Sequence, residues 1–304
     1  VYDNIITNPD IAQKNKILYY ADVCAGPGGF TEYICWRRGW RAKGFGFTLS
    51  QSAGGIDWKL GNFKSSASAD CFEVFYGPSN TGDVTITENM RAFRNLVRKQ
   101  TVDKDGNSGL HTVTGDGGFD VTNRENEQEV LSHQIILCQS TIALSTLRKG
   151  GSYACKLFDT FTPFTLSVLY VLWRCFEKVA IFKPHASRPA NSERFVVCHK
   201  IRGVNIDDIV DFLWAANDLM TKEIKEGRSL VSLCPIEVLK TEPFFTYVKK
   251  SNDVIAKRQV FALNKIKRFV QDTNLPGEDQ ETIRKECLKY WKVPTHPPSF
   301  RNNR

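Results

Sequence analysis

The 304-residue sequence has no C-x-x-C pair. Its nine cysteines, Cys24, Cys35, Cys71, Cys138, Cys155, Cys175, Cys198, Cys234 and Cys287, are odd in number, and many sit in apolar runs. That usage argues against a disulfide framework or a cysteine zinc site and fits buried thiols in a reducing compartment. The five histidines show no ligand spacing, so no structural metal is expected. The longest apolar run, around Phe164–Trp173, falls well short of the roughly 20 residues a membrane-spanning helix needs. No charged-then-apolar leader follows Val1, and a start without Met reads as a piece of a longer protein. Internal repeats and low-complexity tracts are also missing.

What is present is ordinary globular composition, 41% hydrophobic and 24% charged. A chain of this length forms one large α/β domain, or one domain with a modest appendage. Lys and Arg exceed Asp and Glu by a net charge of +8. Such an excess favours a polyanionic partner, because each neutralised phosphate releases counterions.

Apolar runs alternate with amphipathic stretches, the pattern of a parallel sheet flanked by helices. The runs predict strands over Ile17–Val23, Gly44–Leu49, Thr112–Gly115, Ser152–Phe158, Val179–Lys183 and Arg194–His199. Helices are predicted over Phe30–Arg38, Glu88–Lys99, Glu125–Leu147 and Phe164–Phe176. The last two strands lie too close for a helical crossover and should pair antiparallel. From about Ile206 the pattern becomes helical, with helices at Ile206–Thr221 and Glu278–Trp291 separated by mixed polar sequence. A core over 1–205, a helical extension over 206–292 and a Pro- and Arg-rich linker over 293–304 are therefore expected.

Asp22-Val23-Cys24-Ala25-Gly26-Pro27-Gly28-Gly29-Phe30 follows the first strand and opens a helix. Gly26, Gly28 and Gly29 let the backbone approach a ligand, and Pro27 stiffens the turn. The glycines are more crowded than in G-x-G-x-x-G, whose helix N-terminus holds a pyrophosphate. A tighter loop suits a ligand without phosphate, such as S-adenosylmethionine packed by its amino-acid end. Asp83, with Val84, is the candidate acid for the cofactor's ribose or adenine. A helix-capping or turn aspartate is the other reading.

Three further segments stand out. Asp116 lies at the end of a strand in Thr114-Gly115-Asp116-Gly117-Gly118-Phe119, Lys156 within or at the end of the next, and Glu193 leads into the one after. Ligands bind outside the carboxyl ends of the strands in open α/β sheets, so Asp116 and Lys156 can reach the edge that carries the glycine loop. A lysine in apolar company is costly unless paired or used. As a proton acceptor a lysine must first be neutral, which at the free pKa of about 10.4 costs roughly 4.6 kcal/mol at pH 7. Burial lowers that cost, while nearby carboxylates orient the amine and stabilise its charge once it has taken a proton. A purely structural ion pair is the alternative.

Together these residues resemble the FtsJ-like family of ribose 2′-O-methyltransferases, whose catalytic set is Lys-Asp-Lys-Glu; Asp116, Lys156 and Glu193 match its last three members in order and context. The motifs, with Arg188-Pro189-Ala190-Asn191-Ser192-Glu193-Arg194 and the late Ile283–Leu288, are most similar to the branch acting on capped mRNA. The resemblance implies a Rossmann sheet, mostly parallel and of seven-stranded type, with one antiparallel strand and helices on both faces. It implies methyl transfer from S-adenosylmethionine to the first transcribed nucleotide, in the nucleus, with the capped mRNA 5′ end as partner. Partners in the transcription machinery would be met through domains that lie outside this chain. By position it assigns Cys24, Ala25, Gly26, Pro27, Gly28, Gly29, Phe30, Asp83 and Val84 to the cofactor. Asn126, Glu127, Gln128 and Asn191 go to RNA, and Lys156 becomes the proton acceptor beside Asp116 and Glu193.

The family's first catalytic lysine has no match here. Lys14 and Lys16 precede the glycine loop but fall in a polar turn. A fragment that binds cofactor and RNA with little turnover, or one acting on rRNA or the second cap nucleotide, therefore stays open. Arg37, Arg38, Arg41, Arg188 and Arg194 are candidates for phosphate contact or for a solvated face. Trp36, Trp40 and Phe119 are aromatic candidates whose simpler reading is core.

Overall fold

The computed structural model describes residues 17–62, 71–103, 106–119, 121, 124–203 and 206–293. Strand β1 (Leu18–Val23) sends Leu18 and Tyr20 into a small cluster with Ile34, Ala42 and Phe72, and Ala21 and Val23 into the main core. A strand buried on both faces belongs inside a sheet that is covered on both sides. After it come α1 (Gly29–Arg38), β2 (Ala42–Phe47), β3 (Phe72–Phe75), α2 (Thr87–Gln100) and β4 (Leu110–Gly115). A 3-10 turn at Glu125–Glu127 leads into α3 (Gln128–Leu131), α4 (His133–Thr146), β5 (Leu147–Leu157), α5 (Pro163–Cys175), β6 (Phe176–Phe182) and β7 (Arg194–Ile201). Among the described residues four helices follow: α6 (Ile206–Lys225), α7 (Ile236–Leu239), α8 (Phe244–Gln271) and α9 (Gln280–Trp291).

The strand order is β3-β2-β1-β4-β5-β7-β6. Neighbours pair in parallel from β3 through β5, whereas β7 runs antiparallel to both β5 and β6. The expected sheet is present, and so is the expected antiparallel pair of its last two strands. The antiparallel strand sits beside β5, and β6 forms the edge. Strand order reverses between β1 and β4, the position where such sheets leave a crevice for ligands.

Three expectations are corrected. Strand β3 was missed: it is four residues long, lies at the sheet edge, and fully buries only Phe72. The single helix expected over Glu125–Leu147 is interrupted at Ser132, whose hydroxyl donates to the Gln128 carbonyl at 2.7 Å, and Leu147 already belongs to β5. The stretch expected to be mixed polar sequence holds the 28-residue α8. Only Phe244, Val248, Ile255 and Ala262 are buried there, a stripe too thin to stand out among its lysines and arginines.

The helical extension shares the core of the sheet. Val210, Leu213, Trp214, Met220, Phe244 and Val248 pack in the cluster that holds β4, β5 and α4. Lys14, Lys16 and the expected linker over 294–304 lie outside the described residues.

Candidate active site

The glycine loop is held mainly by its own neighbours. The Cys24 amide donates to the Phe47 carbonyl at 2.8 Å, and the Gly28 amide donates to the Ala25 carbonyl at 2.7 Å. Gly28 has φ 111°, a region closed to side-chain-bearing residues, and stands at the N-cap of α1. Gly26 is closely packed on one side. A Cβ there would lie 1.9 Å from the Ile56 carbonyl oxygen, so its glycine makes room for the protein's own chain. At Gly29 an added Cβ meets nothing within 4 Å, so the loop is open on that side.

Beneath the loop, Asp22 is fully buried. One carboxylate oxygen accepts from the Thr31 amide (3.1 Å) and hydroxyl (2.8 Å), and the other from the Thr114 hydroxyl (2.6 Å). It ties β1, α1 and β4 together at the switch point. Burial pushes its pKa up to about 7, against the opposing Thr114 and Thr31 hydrogen bonds. Burial also raises the Cys24 thiol far above its ordinary range, which rules Cys24 out as a thiolate nucleophile at neutral pH.

Asp83 arrives at the loop from the β3–α2 connection. Its carboxylate accepts from the Thr85 amide and hydroxyl, each at 2.8 Å, the contacts of a turn aspartate. Its charge is nonetheless felt at Cys24. Buried Asn89 on α2 fixes this connection, its side-chain amide donating to the Ser79 hydroxyl (2.8 Å) and the Asp83 carbonyl (2.9 Å). The Val84 side chain is in the core.

The other half gathers at the ends of β4, β5 and β7. Asp116 follows β4, and its amide donates to the Val23 carbonyl at 3.1 Å, placing it against the glycine loop's strand. Lys156, one residue from the end of β5, has its Nζ 2.9 Å from Asp116 Oδ1. Its side chain is 15% exposed, so the amine faces the crevice without being solvated freely. Because β7 is antiparallel, Glu193 at its start comes to this same edge, one position beyond the Leu157–Arg194 pair. Burial raises the Asp116 pKa; Lys156 opposes that shift and Glu193 adds to it. The glycines after Asp116 pass over the amine: a Cβ on Gly118 would lie 3.4 Å from Lys156 Nζ. Gln139 on α4 holds this turn by accepting from the Gly117 amide at 2.9 Å. The two carboxylates orient this lysine and favour its charged form, so it takes a proton from a hydroxyl held there only as the neutral amine.

Asn126 and Glu127 lie on the exposed 3-10 turn, where Glu127 pairs with Arg124 at 2.5 Å. Gln128 Oε1 accepts from the Ser192 hydroxyl at 3.4 Å, which joins that turn to the loop before β7. Asn191 Oδ1 accepts from Lys183 Nζ at 2.9 Å. Lys183 was not singled out in the sequence. It is 9% exposed and also donates to the Ser187 hydroxyl (3.3 Å) and to the carbonyls of Asn191 (3.0 Å) and Glu193 (2.6 Å). Burial lowers its pKa, with the Glu193 charge opposing. Its partners lie only 4 to 10 positions downstream, but they are two backbone carbonyls and small polar side chains, which carry no motif of their own.

Several expected surface contacts are corrected. Arg194 is 1% exposed; it donates to Asp159 (2.7 Å), Asn252 (2.9 Å) and the Ser192 carbonyl (2.9 Å), so it braces the loop and does not face RNA. Arg37, Arg38 and Arg41 sit at or beyond the C-terminal end of α1. At 1.5 Å rise per residue that end is on the order of 12 Å from the glycine loop, towards the opposite edge of the sheet. Arg188 remains exposed on the β6–β7 loop. Trp36 is half-buried, but Trp40 and Phe119 are 73% and 50% exposed and are not core.

A family model described as FtsJ-like methyltransferase matches residues 5–201. Cap-specific mRNA (nucleoside-2′-O-)-methyltransferase 1 of Homo sapiens is 47% identical over 307 residues, covering 97% of this chain and 36% of its own length. The Danio rerio protein of that name is 43% identical over 306 residues, with 97% and 36% covered. Cap-specific mRNA (nucleoside-2′-O-)-methyltransferase 1A of Caenorhabditis briggsae is 42% identical over 294 residues, with 95% and 32% covered. The chain thus spans about a third of the length of the curated relatives it matches. With the sheet, the glycine loop and the family match in agreement, the chain belongs to the FtsJ-like methyltransferase family.

Proposed function

We propose that the chain transfers a methyl group from S-adenosylmethionine to the ribose 2′-oxygen of the first transcribed nucleotide of capped mRNA. The observation that carries this reading is the 2.9 Å contact of Lys156 with Asp116, at adjacent strand ends beside the glycine loop. The open side of Gly29, the left-handed Gly28 and the nearby carboxylate of Asp83 fit an elongated ligand without phosphate. Cys24 to Phe30 would hold the cofactor with Asp83 and Val84, and the bound cofactor supplies an electrophilic methyl carbon.

Lys156 accepts the 2′-hydroxyl proton at Nζ. Asp116 orients that amine and stabilises its charge afterwards, and Glu193 completes the set. Positioning the oxygen in line supplies much of the rate. Asn126, Glu127, Gln128 and Asn191 form the rim that would seat the RNA. The relatives' names support the mRNA cap as substrate, and a nuclear location follows from that substrate.

Methylation of short capped and uncapped RNAs, measured side by side, tests the substrate. Capped RNA should be strongly preferred, and equal rates would overturn the cap reading in favour of another RNA. Lys156→Ala should lower turnover by about 10²–10⁴-fold with cofactor affinity retained. Turnover at the wild-type rate would remove Lys156 from the mechanism.

A further inference from the structure

Outside the catalytic crevice, a cleft of about 450 Å³ opens between α8 and the segment that follows β6. That volume is within the range of ligand sites, about 300–1,000 Å³. Lys183, His185, Lys250 and Arg258 line it with the rings of Phe182 and Tyr247, and no carboxylate does. Phe182 is 39% and Tyr247 41% exposed, and Tyr247 is fixed by the Ile181 amide, which donates to its hydroxyl at 2.8 Å. Among the described residues, Lys250 and Arg258 enter no ion pair.

The cleft is close to the proposed chemistry. Lys156 pairs with Phe195, and Phe195 pairs with Phe182. At about 4.8 Å per strand, the cleft begins about 10 Å from the catalytic lysine along the same edge. One wall, at Lys183 and His185, is the start of the loop that goes on to carry Asn191 and Glu193. Lys183 holds that loop from within, and Gln259 on α8 holds it from outside by donating to the Ala190 carbonyl at 3.3 Å. Cations without carboxylates, interleaved with exposed rings, are what a single-stranded nucleic acid requires of a groove.

We propose that this cleft binds the RNA chain 3′ of the methylated nucleotide, with Lys250 and Arg258 on its phosphates and Phe182 and Tyr247 against its bases. The proposal rests on the RNA reading above.

Binding of a capped dinucleotide, a capped octanucleotide and an uncapped octanucleotide to the whole chain separates the two. Wild type should bind the capped octanucleotide more tightly than the dinucleotide. The double variant Lys250→Ala/Arg258→Ala should weaken octanucleotide binding about tenfold and leave the dinucleotide unchanged. Its log-log salt slope should fall by about 1.4, the loss of two single-strand phosphate contacts. Both residues are exposed, so an unchanged melting temperature should accompany the loss. The cleft is overturned if the octanucleotide gains nothing over the dinucleotide, if the variant binds it like wild type, or if both ligands weaken equally. Indifference to the cap, with the length effect intact, would overturn the cap reading and keep the cleft.

Discussion

The two halves of the crevice are built differently. The residues proposed for the cofactor are mostly contiguous, Cys24 to Phe30; Gly28 closes on Ala25, and Asp22 beneath them holds Thr31 nine positions away as well as Thr114 across 92. The substrate half is assembled over long separations. Arg194 reaches Asn252 58 positions on, and Asn252 also joins Thr160 across 92. Its Nδ2 donates to the Thr160 carbonyl at 3.0 Å, and its Oδ1 accepts from the Thr160 hydroxyl at 2.6 Å. Asn252 lies on α8, beyond the region that the family model matches. The fold thus supplies the cofactor loop from one contiguous motif, while a later helix braces the loop that presents Glu193.

That contrast can be broken from either side. Gly26→Ala should have the largest effect, about 3 kcal/mol or more, because its Cβ would meet a backbone oxygen at 1.9 Å. Cofactor titration should show binding lost with it; retained affinity would mean the 56–57 segment moves freely. Arg194→Met should cost about 3 kcal/mol in denaturant unfolding, since it strands Asp159 at a buried pair. It should impair turnover while cofactor affinity holds, the reverse of Gly26→Ala. Asn252→Ala should cost about 2 kcal/mol by leaving Arg194 and Thr160 short of partners. If it weakens cofactor binding as much as RNA binding, the two halves are not separate.

The same contrast explains what could be read from sequence. The cofactor loop is one uninterrupted nonapeptide between a strand and a helix, so its chemistry and context arrive together. Asp116 and Lys156 were legible because each carries an unexpected charge at the end of an apolar run, and Glu193 because its segment Arg188–Arg194 leads into the next strand and matches the family motif. Lys183 and Asn252 have no such signature: Lys183 is bound mainly to the backbone of the loop just after it, and the role of Asn252 exists only once distant segments meet. Arg194 was misread for the same reason, its phosphate-like context hiding a buried brace. Trp40 and Phe119 erred the other way, since an aromatic ring alone does not tell core from surface. Helix α8 escaped because its four buried residues among 28, although spaced at helical intervals, form a stripe too thin to stand out among exposed apolar and charged residues.

Asp22 is where the halves touch, because the Asp116 charge adds to the burial that raises its pKa. With a value near 7 in the folded chain against 3.8 ordinarily, the folded protein binds one more proton between those limits. The stability tied to this group is therefore full below about pH 4 and declines as pH rises through 7, where the buried carboxylate ionises. From pH 6 to pH 8 the decline amounts to about 1 kcal/mol. Asp22→Asn should flatten that segment of the profile. Its carbonyl can accept from Thr31 while its amide donates to the Thr114 hydroxyl, which in turn lies 3.2 Å from the Ala21 carbonyl and can donate there. Denaturant unfolding of both proteins at each pH measures the difference. Parallel curves would show that Asp22 stays ionised throughout, held by its three hydrogen bonds against the pull of burial.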